Sequence, residues 1–70
     1  MGEMITVGQR IRDRREALGL SQEEVAVRLE KDVAYVNEIE NMGNEMTTTV
    51  ISAFAKALET TPAFLMGWEQ

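Results

Sequence analysis

No cysteine and no histidine occur in this 70-residue chain. A single core of this size yields only roughly 3–5 kcal/mol of net stability, and small domains usually add disulfides or a structural metal to it. Without thiols there is no disulfide, and without thiols or imidazoles there is no structural zinc. Stability must therefore come from well-packed helices or from a second subunit, so a homodimer is one expectation. The same two absences narrow the chemistry. Ser-His and Cys-His nucleophile systems are excluded, with nearly all zinc and haem ligation, leaving carboxylates, Lys, Tyr and hydroxyls for any catalysis. The expectation is a single domain over 1–70 that is no enzyme and uses no metal or cofactor.

Turn chemistry divides the chain into five helical pieces with no useful strand-like alternation. Thr6 with Gln9 three residues on reads as a capping box, and Val7, Ile11 and Leu18 follow as one apolar face until Gly19 supplies a left-handed stop. Ser21 with Glu24 is a second box, Asp32 caps a third helix and Thr47 or Thr48 a fourth. Thr61-Pro62 places a cap ahead of proline at a first helical position. Helices are expected near 7–18, 22–29, 33–41, 48–58 and 62–67, forming a compact all-α bundle. In the third helix Val36 and Ile39 face inward, while Val33, Ala34, Asn37, Glu38 and Asn41 face outward. That outer face is where function is sought.

The formal charge of −5 argues at first against nucleic acid, because phosphate binding is driven by Lys and Arg displacing condensed counterions. Its distribution is uneven. Residues 1–35 hold six cations against seven acids, whereas residues 36–70 set Lys56 alone against five acids. Arg10, Arg12, Arg14 and Arg15 read partly as a phosphate patch and partly as a solvated face with i,i+4 partners such as Arg12 and Glu16. No apolar run is long enough to span a membrane and no secretory layout opens the chain, so a cytoplasmic location is expected. Met1 to Thr6 also fits a myristoylation template at Gly2, against which Thr6 has the better explanation as a helix cap.

Two short helices joined through Glu30-Lys31-Asp32 form the geometry that lets a second helix enter a major groove while the first crosses the backbone. The residues themselves resemble a known family here. The run from Val7 to Ala26, with Gln9-Arg10-Ile11-Arg12 and Leu18-Gly19-Leu20-Ser21-Gln22-Glu23-Glu24-Val25-Ala26 within it, closely resembles the opening of the phage-repressor or Cro-like (Xre) helix-turn-helix family. Ile39-Glu40-Asn41, Phe54-Ala55-Lys56-Ala57-Leu58 and Phe64-Leu65-Met66-Gly67-Trp68 match its later blocks without gaps. Tyr35-Val36 after Asp32 looks like the branch that includes restriction–modification controller proteins.

What the resemblance implies is a five-helix, lambda repressor-like domain that binds double-stranded operator DNA as a two-fold dimer and regulates transcription as a repressor. It implies that Gln22 fixes a phosphate at the start of the second helix, and that Val33, Ala34, Tyr35, Asn37, Glu38 and Asn41 lie on the DNA side. By residue type, Asn37 suits adenine, Glu38 suits cytosine N4, and Val33 and Ala34 suit thymine methyls. Arg15 and Glu40 match a partly buried ion pair that joins the first helix to the end of the third. The family's habit of pairing through the last helices places a dimer contact at Pro62, Ala63 and Phe64. Trp68 and Phe64 serve either that surface or closure of the core, and Met42 and Met46 are either gap-fillers or contacts for a partner.

Four departures cluster on the DNA side. Val33 replaces the usual Arg or Gln and makes no bidentate base contact. Glu30 stands where the turn usually has Gly, so a left-handed non-glycine costing roughly 1 kcal/mol, or a changed turn, is expected. The loop from Met42 to Met46 lacks the family's basic residue and proline, and Glu38 and Glu45 repel phosphate. The alternative reading is a helix-turn-helix scaffold for protein interaction, such as an antitoxin, antirepressor or heterodimer subunit, whose acidic third helix meets a basic partner. A hydrolase using Glu23 and Glu24 or Glu38 with a metal fares worse, because the adjacent Glu23 and Glu24 point apart on a helix and hold a shared ion poorly.

Overall fold

The computed structural model describes residues 5–68, which form five helices: α1 (Val7–Ala17), α2 (Gln22–Leu29), α3 (Val33–Glu40), α4 (Thr48–Ala57) and α5 (Pro62–Leu65). No strand occurs among the described residues. Every helix opens on an oxygen-bearing side chain that accepts from the amide three residues on, the acceptors being Thr6, Ser21, Asp32, Thr47 and Thr61. The Ser21 box is complete, with Glu24 Oε1 accepting from the Ser21 amide at 2.7 Å. Those hydrogen bonds from Ser21 hold the Glu24 carboxyl below its ordinary range. At Thr6 only half of the expected box forms, because the Gln9 side chain donates instead to Asp13, one turn along, at 2.9 Å. Gly2 of the myristoylation template lies outside the described residues, while Thr6 is the α1 cap.

Four helices close with the paired backbone bonds of the Schellman pattern: Gly19 and Leu20 end α1, Glu30 and Lys31 end α2, Glu59 and Thr60 end α4, and Gly67 and Trp68 end α5. The left-handed residue is glycine in two of them and glutamate in the other two, Glu30 and Glu59 each having φ 59°. The expected strain at Glu30 is thus present and the turn is kept. Glu59 is held by Arg14 and Arg28, which bond its carbonyl and its carboxylate, whereas the Glu30 side chain is exposed. Glu30→Gly should therefore stabilise the domain by about 0.5–1 kcal/mol, and Glu59→Gly by less. Thermal melts of the two variants check this. A lower melting temperature for Glu30→Gly would contradict it.

Ile11, Val25, Val36, Phe54, Leu58 and Leu65, one or more from every helix, are the fully buried large side chains. α5 is shorter than expected, ending at Leu65, and Gly67 at φ 83° then turns the chain. The Trp68 side chain is left 74% exposed, which removes core closure as its role, while Phe64 packs partly buried against the core. The two methionines after α3 divide between the roles expected of them. Met46 packs against the core and Met42 remains exposed. No described helix is long and apolar enough to cross a membrane.

Candidate nucleic-acid interface

α2 and α3 present the geometry in which a second helix stands proud of the first. Along α3 the burial follows the helical period. Val36 and Ile39 are buried, and Val33, Ala34, Asn37 and Glu38 are exposed, with Asn41 exposed as the helix cap. Tyr35 departs from its neighbours, since its half-buried ring stacks on Phe54 with centroids 6.1 Å apart. The ring braces α3 against the core, and the Lys31 ammonium sits 5.3 Å over it.

Behind this face lies an ion pair. Arg15 grips Glu40 through two contacts, Nε to Oε2 at 2.6 Å and Nη2 to Oε1 at 3.2 Å, and gives a further bond to the Leu20 carbonyl at 2.9 Å. The Glu40 side chain is wholly buried and that of Arg15 is 12% exposed. Burial pushes the Glu40 carboxyl up, but bonds from Arg15 and Gln22, the Arg15 charge and a bond from Arg12 outweigh it and hold the carboxyl below its ordinary range. Arg15 is shifted the other way, raised chiefly by its bond to Glu40.

The pair continues outward through amides. Gln22 Nε2 donates to Glu40 Oε1 at 3.1 Å and to Asn37 Oδ1 at 3.3 Å. Asn41 Nδ2 donates to the Asn37 carbonyl at 2.8 Å and to Asn37 Oδ1 at 3.4 Å, and Asn41 Oδ1 accepts from Arg12 Nη2 at 3.3 Å. Arg12 also reaches Glu40 at 3.4 Å, so it bridges to α3 and its cap instead of pairing with Glu16 along its own helix. Of the residues expected at the site, Gln22, Asn37, Asn41, Arg15 and Glu40 are thus one bonded cluster. Val33, Ala34 and Glu38 share its outer surface, and Pro62, Ala63 and Phe64 lie apart on α5.

Beyond the Arg15–Glu40 pair, sequence reasoning missed the fastening of the loop after α3 to α1. The Val7 amide donates to Asn44 Oδ1 at 2.8 Å and the Gly8 amide to the Gly43 carbonyl at 2.9 Å, so the loop after α3 satisfies the open first turn of α1. A glycine inside an otherwise helical pattern is the signal that pointed there, since it marks close backbone approach. A Cβ at Gly8 would meet the Glu40 carbonyl oxygen at 2.6 Å. The expected basic patch also loses Arg14. Arg14 bonds the Leu58 and Glu59 carbonyls and Arg28 the Ala57 carbonyl, capping the end of α4.

A helix-turn-helix family model matches residues 11–65. No curated protein matches the chain in sequence. Among solved structures, the restriction-modification controller protein C.AhdI from Aeromonas hydrophila is similar at 37% identity and a TM-score of 0.76, over 86% of this chain and 87% of that one. The hypothetical transcription factor NHTF from Neisseria is similar at 28% identity and a TM-score of 0.76, over 86% of this chain and 69% of that one. The P22 c2 repressor protein, solved in complex with synthetic operator 9T, shares the fold at 24% identity and a TM-score of 0.78, over 94% of this chain and all of that one. A family model spanning most of the sequence, and a relative of this identity aligned over most of both chains, fit the α2–α3 geometry: the chain belongs to the helix-turn-helix family.

Proposed function

We propose that the chain is a cytoplasmic, sequence-specific DNA-binding transcriptional regulator of repressor type, a homodimer whose α3 reads operator DNA in the major groove. The observation that carries this reading is the exposed strip Val33, Ala34, Asn37 and Glu38 on a helix held from behind by the Arg15–Glu40 pair. Such a strip offers apolar contacts for thymine methyls and polar groups for base edges, on a support that does not yield. Gln22 takes a phosphate through its backbone amide at the α2 N-terminus, because its Nε2 already donates to Glu40 and Asn37, with Asn41 toward the phosphates at the far end of α3. Pro62, Ala63 and Phe64 form the subunit contact.

With Arg14, Arg15 and Arg28 bonded to groups of the protein itself, few cations remain for phosphates. Titration of a fluorescent duplex from the region upstream of its own coding sequence should give saturable binding. The slope of log affinity against log salt should be no steeper than about −4 for a dimer. Failure to saturate even at about 50 mM salt would overturn the reading. That result would favour the protein-interaction scaffold, for which one observation speaks. Glu38 and Glu45 flank a groove of about 510 Å³ lined by Met42, Met46 and Val50.

A further inference from the structure

We infer that Asn37 presents only N–H donors to the DNA groove and so selects guanine over adenine, its orientation being dictated by the charged groups behind it. The inference rests on the proposal that α3 lies in a major groove.

A side-chain amide has an acceptor end and a donor end of nearly equal shape, and its neighbours decide which end points where. Two neighbours at the edges of this cluster have a fixed sense. Glu40 is a buried carboxylate held by Arg15, and a carboxylate only accepts. Gln22, 3.1 Å away, must turn its Nε2 toward it. The same nitrogen lies 3.3 Å from Asn37, so the Asn37 atom there must be the oxygen. From the other edge, Arg12 is a guanidinium and only donates. Its Nη2 lies 3.3 Å from the Asn41 amide, which therefore turns its oxygen to Arg12 and its nitrogen to Asn37. That nitrogen lies 2.8 Å from the Asn37 carbonyl and 3.4 Å from Oδ1. Both routes end on the same atom with the same sense.

Asn37 Oδ1 thus receives two donors, which uses both of its lone pairs, and Nδ2 has no acceptor among the described residues. An asparagine pairs with adenine by accepting from N6 while donating to N7. With its oxygen turned inward, Asn37 can only donate, and adenine would set its own N6 hydrogens against those of Nδ2. Guanine offers O6 and N7, two acceptors side by side and no donor in the major groove. Glu38, the next residue, has the opposite sense and accepts only, which suits cytosine N4. The two exposed polar residues of α3 thus form a donor beside an acceptor, and the donor's identity is set by Gln22 and Asn41, neither of which need touch that base.

Selection of binding duplexes from a random pool, followed by anisotropy on the winning sequence, tests this. Each base pair is changed in turn, for the wild type, Asn37→Ala and Asn37→Asp, with circular dichroism to verify that the variants fold. One position per half-site should prefer guanine over adenine by about tenfold. That preference should vanish in Asn37→Ala. It should also vanish or reverse in Asn37→Asp, which keeps acceptor oxygens for Gln22 and Asn41 but has no hydrogens to donate. Replacing that guanine with 7-deazaguanine should weaken wild-type binding and leave Asn37→Ala unchanged. An Asn37-dependent preference for adenine, or no Asn37-dependent position, would overturn the inference while leaving DNA binding intact. A pool that yields no binding duplex would overturn the DNA-binding reading itself, and this inference with it.

Discussion

Arg15→Ala should cost about 3–5 kcal/mol of stability and lower the melting temperature by more than about 15 °C. The reason is an asymmetry in what each partner leaves behind. Without Arg15, a carboxylate with no exposed side-chain surface keeps only Gln22 and the longer 3.4 Å contact from Arg12. Without Glu40, the guanidinium still bonds the Leu20 carbonyl and has Glu16 at 4.0 Å. Glu40→Ala should therefore fall nearer the lower end of the range. Replacing both residues with apolar ones, Arg15→Met with Glu40→Leu, should recover much of the loss, since the penalty comes from an unpaired buried charge. Urea-unfolding measurements on the two single variants and the double variant form the cycle that checks this. A cost below about 1 kcal/mol for Arg15→Ala would show that the pair is bystander geometry.

Acid should act through the same pair. The Glu40 carboxyl is held below its ordinary range in the folded chain, and in the unfolded chain it returns to its ordinary value. Its contribution is complete above that value and is lost as pH falls through the lowered folded one. Glu40→Gln, which keeps the shape but cannot ionise, should be less stable near neutrality and show a flatter decline below about pH 4.

Gly8→Ala should destabilise the domain by about 2 kcal/mol or more, although alanine is the better helix former by about 1 kcal/mol. A methyl group there would lie 2.6 Å from the Glu40 carbonyl oxygen and 3.0 Å from the Glu40 carbonyl carbon and the Ile39 oxygen. All three are backbone atoms of α3, so no side chain can swing aside and the two helices must separate. Separation also draws Arg15 and Arg12 away from Glu40, which couples this variant to the ion pair. Gly19→Ala is the comparison. Its φ of 71° disfavours alanine, but a Cβ would meet nothing within 4 Å, so its loss should stay near 1 kcal/mol. A Gly8→Ala variant as stable as the wild type would mean that α1 and α3 slide apart at little cost.

The helices were legible because local chemistry decides them: Thr6, Ser21, Asp32, Thr47 and Thr61 each satisfy an amide three residues away. The exposed strip of α3 was legible for a similar reason, since burial there follows from spacing alone. The amide relay was not. Gln22, Asn37 and Asn41 suit solvent, phosphate or base equally well as isolated residues, and only the crossing of α1, α2 and α3 turns them toward one another. Arg14 misled for the opposite reason, since charge counted along a sequence says nothing of carbonyls delivered by a distant helix end. Trp68 stayed open between a subunit surface and closure of the core. Its residue type suits either role, and the turn at Gly67 carries it outward.

The loop fastened to the first turn of α1 bears on how fast a complex forms. Its backbone is tied at Gly43 and its side chain at Asn44, so the loop after α3 is ordered together with α1 as the chain folds. The entropy of arranging that segment is spent before any duplex arrives. On the proposed DNA-binding reading, an encounter in the correct orientation then needs no wait for that loop to rearrange, and operators should differ more in the lifetime of the complex than in the speed of its formation.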